Sequence, residues 1–377
     1  MRLLLFSWCA VVVFLGTKVE LGCGLAMPSL RLLEWVPSQQ LLVKTAKAGW
    51  ETAFKTLISE IAPQSAEGDY VRPSSQRGGN FLSLESGNYC VYVGNACPWC
   101  HRVALGLGVR GFPSHVKICE LEDDATKASR GGWIVKDKDP IFGKNDLKEI
   151  YDAASGGTFN GRCTAPLLVD VDSKKIVSQE SGDILRALCH MEKGNDVELR
   201  PSPLKDSIDT WNDKIYRVND GVYRCGFATT QKAYERAYEA LHAALRDIEA
   251  QLASTTKFLL GDKLTEADLR LYPTIARFDA AYATLFRCSP GLSLEAQYPN
   301  LATWRSTMQQ IPAVNHSCDP NAAAASYYRS LFPLNPSGII PHFSKDVAGG
   351  TYLSQQDDNN IDLVKRGLAF SKTTTTL

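Results

Sequence analysis

The sequence carries no net charge: 41 lysines and arginines balance 41 aspartates and glutamates over 377 residues. A protein that holds nucleic acid or an anionic membrane surface needs a basic excess, so neither is expected as a partner. Cys97-Pro-Trp-Cys100 has no second C-x-x-C or C-x-x-H pair to complete it, which argues against zinc. The eleven cysteines are odd in number and irregular in spacing, too sparse for a disulfide framework, and fit mostly free thiols. The apolar run from Leu3 to Gly16 is too short for a comfortable membrane span. With Arg2 before it and the small residues of Cys23-Gly-Leu-Ala26 after it, it has signal-peptide anatomy. The expected mature domain is therefore not membrane-embedded. The leader implies entry to the secretory pathway or an organelle reached in two steps, and a cytoplasmic protein if it is a gene-model extension ahead of Met27.

The composition is that of a globular protein, with 44% apolar and 22% charged residues, and the length suits two domains. Around position 97 the chain is informative. Tyr89 to Val93 is an apolar, β-branched run that predicts a strand, and Gly94-Asn95 predicts a turn. Pro98 then suits the first position of a helix, where its missing N–H costs nothing. That places Cys97 at a helix N-terminus, where free amides and the helix dipole favour the reactive thiolate. His101 and Arg102 would add to this if they point back toward the sulfur. Cys100, three residues on, lies on the same face and within reach of a disulfide.

The rest of the chain is expected to divide as follows. Residues 1–26 are a targeting segment, and 27–80 an N-terminal packing arm and irregular extension. Residues 81–193 form an α/β thioredoxin-like domain, with an insertion at 122–162 that includes a short helix near Asp146–Ala154. Pro166 should stand at a strand start or sheet edge, because it cannot donate to the ladder. Residues 204–344 form an all-α domain, read from apolar positions three and four apart such as Ile208, Trp211, Ile215 and Val218. Thr265-Glu-Ala-Asp268 predicts a capping box, and Pro273 a kink or break in the helix that follows. Residues 345–377 are polar and expected to be weakly ordered.

The ordered set of motifs resembles the xi class of glutathione transferases, the glutathionyl-hydroquinone reductases. The matching segments are Ala96-Cys-Pro-Trp-Cys-His-Arg102, Gly132-Trp133, Ala165-Pro-Leu-Leu168 and Gln179-Glu-Ser181. Further matches are Asn219 to Ala228, Gly261 to Arg270, Arg277-Phe-Asp279, Tyr298-Pro-Asn-Leu301, Tyr327-Tyr328 and Asn335-Pro336. The resemblance implies the glutathione transferase fold and glutathione as co-substrate, with no metal. It implies an aromatic glutathionyl-hydroquinone as the other substrate, and a homodimer. It makes Cys97 the nucleophile. Tyr223 and Tyr327 become the candidates for the aromatic pocket and ring protonation, with Tyr328 as an alternative to Tyr327. Ala165 and Pro166 would pair with the cysteinyl part of glutathione, Glu180 and Ser181 with its γ-glutamyl end, and Trp133 would cover it. Without the resemblance, Glu180 and Ser181 read as a helix cap. The family often has alanine at the position of Cys100 and valine at that of Ala165. Cys100 therefore leaves open a dithiol route, as in an omega-like or glutaredoxin-like thiol transferase or dehydroascorbate reductase. A non-catalytic interaction module is a third reading.

Overall fold

The computed structural model describes residues 38–73, 82–94, 96–192 and 195–342. The leader 1–26, residues 27–37 of the arm, Asn95 and the tail 345–377 lie outside the described residues. Contacts divide the chain after Thr52. The first element, α1 (Gln39–Ile61), begins in the first of these two units and ends in the second. The expected packing arm is thus corrected to a helix of 23 residues, and Leu41, Leu42 and Val43 are exposed on it. Ala, Lys, Leu and Glu, all good helix formers, dominate its sequence.

From Ala53 onward two cores are built. The first belongs to a five-stranded sheet of order β3-β2-β1-β4-β5. The central strand β1 (Tyr89–Gly94) is buried at every position, which is why it reads as a continuous apolar run and not an alternating one. It pairs in parallel with β2 (Val116–Asp123) and antiparallel with β4 (Leu167–Asp170). β3 (Trp133–Ile134) and β5 (Lys175–Ser178) close the two edges, both antiparallel. Between β1 and β2 runs α2 (Pro98–Val109), and after β5 comes α4 (Ser181–His190). Residues 122–162, expected as an insertion, hold elements of the domain itself: β3 and the helix α3 (Leu147–Ala154). α2 is capped by Arg110 and followed by Gly111 with φ of 79°.

The second core is helical. α5 (Lys205–Phe227) and α6 (Gln231–Ala253) pack side by side, and α7 (Glu266–Ala276) lies against α5 and against α2 of the sheet domain. A π-helical turn (Phe278–Tyr282) follows, then α8 (Leu294–Gln297), α9 (Pro299–Gln309), α10 (Pro312–Asn315) and α11 (Pro320–Ser330). Thr265 and Asp268 form the expected capping box. The expected kink or break at Pro273 is not where the helix ends. α7 runs through it and stops three residues later. This architecture, a thioredoxin-like mixed sheet followed by a helical domain, is the glutathione transferase fold.

The segment before β1 also belongs to the helical core. Ile58 and Ala62 are fully buried in it, and Tyr70 sets its edge on Phe227 at 5.6 Å. The Thr229 N–H donates to the Gly68 carbonyl at 3.0 Å, and Arg236 pairs with Asp69 at 2.7 Å.

The fully buried Glu266 joins the two domains. It accepts from Arg270 of its own helix at 2.7 Å, from Arg186 of α4 at 3.1 Å, from Arg200 of the linker at 3.2 Å and from Asn212 of α5 at 3.2 Å. Burial pushes its carboxyl up, but the charges of Arg270, Arg186 and Arg200 outweigh this and hold it below the ordinary 4.5. A carboxyl whose pKa is depressed by folding contributes stability above the unfolded value, and that contribution is lost as pH falls through the folded value. Urea unfolding between pH 6 and pH 3 should therefore show wild type losing stability below pH 4.5 more steeply than E266Q. Parallel curves would refute this.

Among the described residues, no helix is long and apolar enough to cross a membrane, and no three His, Cys, Asp or Glu residues come together as a metal site.

Candidate active site

Cys97 is the N-cap of α2, half-buried, with Pro98 as the first helical residue. Its sulfur accepts from the Cys100 backbone N–H at 3.4 Å. On the other side it lies 3.5 Å from the carbonyl oxygen of Ala165, to which the thiol donates. The Ala165–Pro166 peptide bond is cis and delivers the chain into β4, so Pro166 stands at the strand start. Burial alone would push the Cys97 thiol up. The Cys100 thiol, the N–H groups of Cys100 and Trp99 and the charge of Arg277 outweigh it and hold Cys97 below the ordinary thiol value. Cys100 is buried and shifts the other way, well above that value, through burial and the hydrogen bond to Cys97. The pair is thus an activated sulfur beside a protonated one.

His101 and Arg102 do not point at the sulfur. His101 Nε2 meets Ser317 Oγ at 2.7 Å and its Nδ1 meets Arg277 Nη1 at 2.8 Å. A guanidinium has donors only, so Nδ1 accepts and Nε2 carries the proton. Burial and Arg277 push the His101 pKa well down, in keeping with a neutral ring. Arg102 reaches sideways to donate to Ser181 Oγ at 3.1 Å. Their hydrogen-bond partners on α4, at the end of α7 and before α11 hold them instead.

Ser181 and Glu180 stand at the N-terminus of α4. Glu180 is its N-cap and accepts from the Gly182 N–H at 3.2 Å, as its reading as a helix cap expects. Trp133 sits on β3 after Gly131 and Gly132, whose φ angles of 103° and 74° make the turn that L side chains resist. Its indole lies over the end of β1. A Cβ on Gly94 would come within 2.2 Å of the ring, so that position has to be glycine. Beside it opens a cleft of about 290 Å³, lined by Ala96, Glu122, Asp123, Trp133, Ser326 and Arg329 among others.

Tyr223 of α5 and Tyr327 of α11 meet hydroxyl to hydroxyl at 2.7 Å, although 104 positions separate them in sequence. Neither lines that cleft. Of the adjacent pair, Tyr327 is the one that joins Tyr223. Burial pushes both phenols well above the ordinary value, so they remain O–H donors at neutral pH. The negative charge of Cys97 adds to the shift of Tyr223.

Three residues escaped sequence reasoning. Tyr282 of the π turn places its hydroxyl 3.1 Å from that of Tyr327, making a cluster of three phenols. Arg277, at the end of α7, reaches α2 through His101. Both lie in or just after the Arg277-Phe-Asp279 motif, which was visible but had no assigned role. Trp99 lies between two guanidiniums, Arg72 at 4.1 Å and Arg102 at 4.7 Å. Arg224 pairs with Asp220 at 2.6 Å.

The chain is similar to known proteins in sequence and fold. Residues 96–191 match the family Glutathione S-transferase, N-terminal domain, and residues 231–306 match Glutathione S-transferase, C-terminal domain. The glutathionyl-hydroquinone reductase PcpF of Sphingobium chlorophenolicum is 36% identical over 292 residues, covering 74% of this chain and 90% of that protein. The crystal structure of the xi glutathione transferase from Phanerochaete chrysosporium superposes with a TM-score of 0.68 at 31% identity, over 75% of this chain and 95% of that one. The glutathione-bound structure of YqjG from Escherichia coli K-12 does so with a TM-score of 0.64 at 30% identity, over 76% and 92%. With its redox-type cysteine at the start of α2 and a helical domain behind it, the chain belongs to the xi class of glutathione transferases, the glutathionyl-hydroquinone reductase family.

Proposed function

We propose that the protein reduces glutathionyl-hydroquinones to hydroquinones at the expense of glutathione, through a mixed disulfide on Cys97. The observation that carries this reading is the sulfur of Cys97, set between the Cys100 N–H at 3.4 Å and the Ala165 carbonyl at 3.5 Å at the start of a helix. Amide and dipole there favour the anion, and only the anion attacks sulfur. PcpF and YqjG, named above, support the substrate class by similarity.

The steps balance as follows. The Cys97 thiolate attacks the glutathione sulfur of the substrate, forming a Cys97–glutathione disulfide and breaking the bond from sulfur to the ring carbon. The ring leaves with that electron pair and takes a proton from Tyr223 or Tyr327. A second glutathione, as its thiolate, attacks the glutathione sulfur of the mixed disulfide. Oxidised glutathione leaves and the Cys97 thiolate is restored. The proton lost by the second glutathione restores the phenol. In the same reading, Glu180 and Ser181 take the γ-glutamyl end at the N-terminus of α4. The Ala165 backbone and Pro166 flank the cysteinyl part, and Trp133 covers the tripeptide. Cys100 serves as a hydrogen-bonding neighbour and not as a second nucleophile, because its thiol is held well up.

The test uses a glutathionyl-hydroquinone, single-turnover ring release and intact mass. Wild type and C100S should both release hydroquinone and gain the mass of one glutathionyl group, located on Cys97. Y223F and Y327F should slow ring release by about 10²-fold or more, the usual contribution of a placed general acid, without changing Cys97 alkylation. Loss of turnover in C100S would replace this reading with a dithiol transferase.

A further inference from the structure

Arg277 is a charge placed where charge is costly. Its side chain is fully inside the protein, yet it reaches the helix that carries the nucleophile. One nitrogen, Nη1, donates to His101 Nδ1 at 2.8 Å and to the Pro273 carbonyl at 3.0 Å. The other, Nη2, donates to Cys318 Sγ at 2.9 Å. The His101 backbone N–H in turn donates to the Cys97 carbonyl at 3.0 Å, so the guanidinium grips the residue that closes the first turn beginning at Cys97. The second ring nitrogen of His101 is held by Ser317. The grip requires a neutral imidazole, since a protonated one has no acceptor to offer.

We propose that Arg277 is a positioning residue for the Cys97 chemistry: through His101 it fixes the first turn of α2, and from inside the protein it lends that turn a permanent positive charge. The groups around Cys97 come from five places. They are Cys100 and the Trp99 and Cys100 amides on α2, the Ala165 carbonyl before β4, Tyr223 on α5, Tyr282 of the π turn and Arg277 at the end of α7. Tyr327 on α11 and Cys318 before it face the guanidinium. The phenols and the second thiol are neutral at pH 7, so the sulfur meets a cation from the α7 side. In that field the anion is the favoured form.

The experiment needs no hydroquinone, so it stands or falls apart from the reaction assigned above. Alkylation of Cys97 by iodoacetamide is followed from pH 4 to pH 10 by peptide mass in wild type, R277M and R277K. The midpoint should rise by roughly one pH unit in R277M and return most of the way in R277K. Below both midpoints the rate should fall only about threefold, because a less acidic thiol is a better nucleophile once ionised. A purely structural arginine would lower thermal stability and leave the midpoint in place, and an unmoved midpoint in folded R277M overturns the proposal. If R277M does not fold, R277Q decides: its amide keeps a donor for His101 Nδ1 without the charge, and the Cys97 midpoint should rise likewise. An unmoved midpoint in folded R277Q overturns the proposal.

Discussion

C97S should lose hydroquinone release by on the order of 10³-fold or more, with the fold and glutathione docking intact. The reason is chemical before it is electrostatic. Serine fits the N-cap at least as well as cysteine, and its oxygen can accept the same Cys100 N–H, so helix α2 has no reason to change. A hydroxyl, however, is not ionised in this setting and cannot make the proposed mixed disulfide with glutathione. The check is paired: single-turnover ring release, and glutathione affinity by calorimetry. Retained turnover in C97S would remove the covalent route. Lost affinity would mean that the sulfur also anchors the ligand.

The second large effect is on stability. Asp268 is fully buried and accepts from the Leu259 N–H at 2.9 Å, the Thr265 N–H at 3.0 Å, the Thr265 hydroxyl at 2.9 Å and the Trp304 indole N–H at 2.9 Å. D268A leaves these donors without their acceptor in a dry core, at about 1–3 kcal/mol for each one that cannot find another partner. The Thr265 hydroxyl can rotate away, whereas the two amides and the indole are fixed. With all three orphaned the loss is about 3–9 kcal/mol, a large share of the roughly 5–15 kcal/mol that holds a folded protein together. Urea unfolding measures it, and a loss below about 1 kcal/mol would show that water or backbone shifts satisfy the site. D268N keeps the shape and one acceptor oxygen, and should fall between the two.

Part of this was legible without coordinates. β1, the cap at Cys97 and the helix after it follow from local rules, since each depends on neighbours within a few residues. The capping box of Thr265 and Asp268 is local in the same way. β3 was not legible: two residues, Trp133 and Ile134, are too few to show a period, and they become a strand only because β2 offers an open edge. Pro273 lies inside α7, which packs on α5 and α2 and continues three residues past it. Sequence left open whether His101 and Arg102 point at the sulfur, because their partners Ser317, Arg277 and Ser181 lie far along the chain. The meeting of Tyr223, Tyr282 and Tyr327, and the reach of Arg277 to His101, bring together segments with no shared pattern. Only the family motif hinted at Arg277, and it gave no partner.

Ile58 and Tyr70 leave the ribosome early but reach their places only with the help of much later residues. Gly68 and its partner Thr229 are 161 positions apart, roughly ten to thirty seconds of synthesis. Throughout that interval the nascent chain displays greasy surface with nowhere to put it, and the last strand of the sheet, ending at Ser178, is made before the interval closes. A fragment excised at the first strand would meet the converse problem: its helical half would have a hole where the missing residues belong.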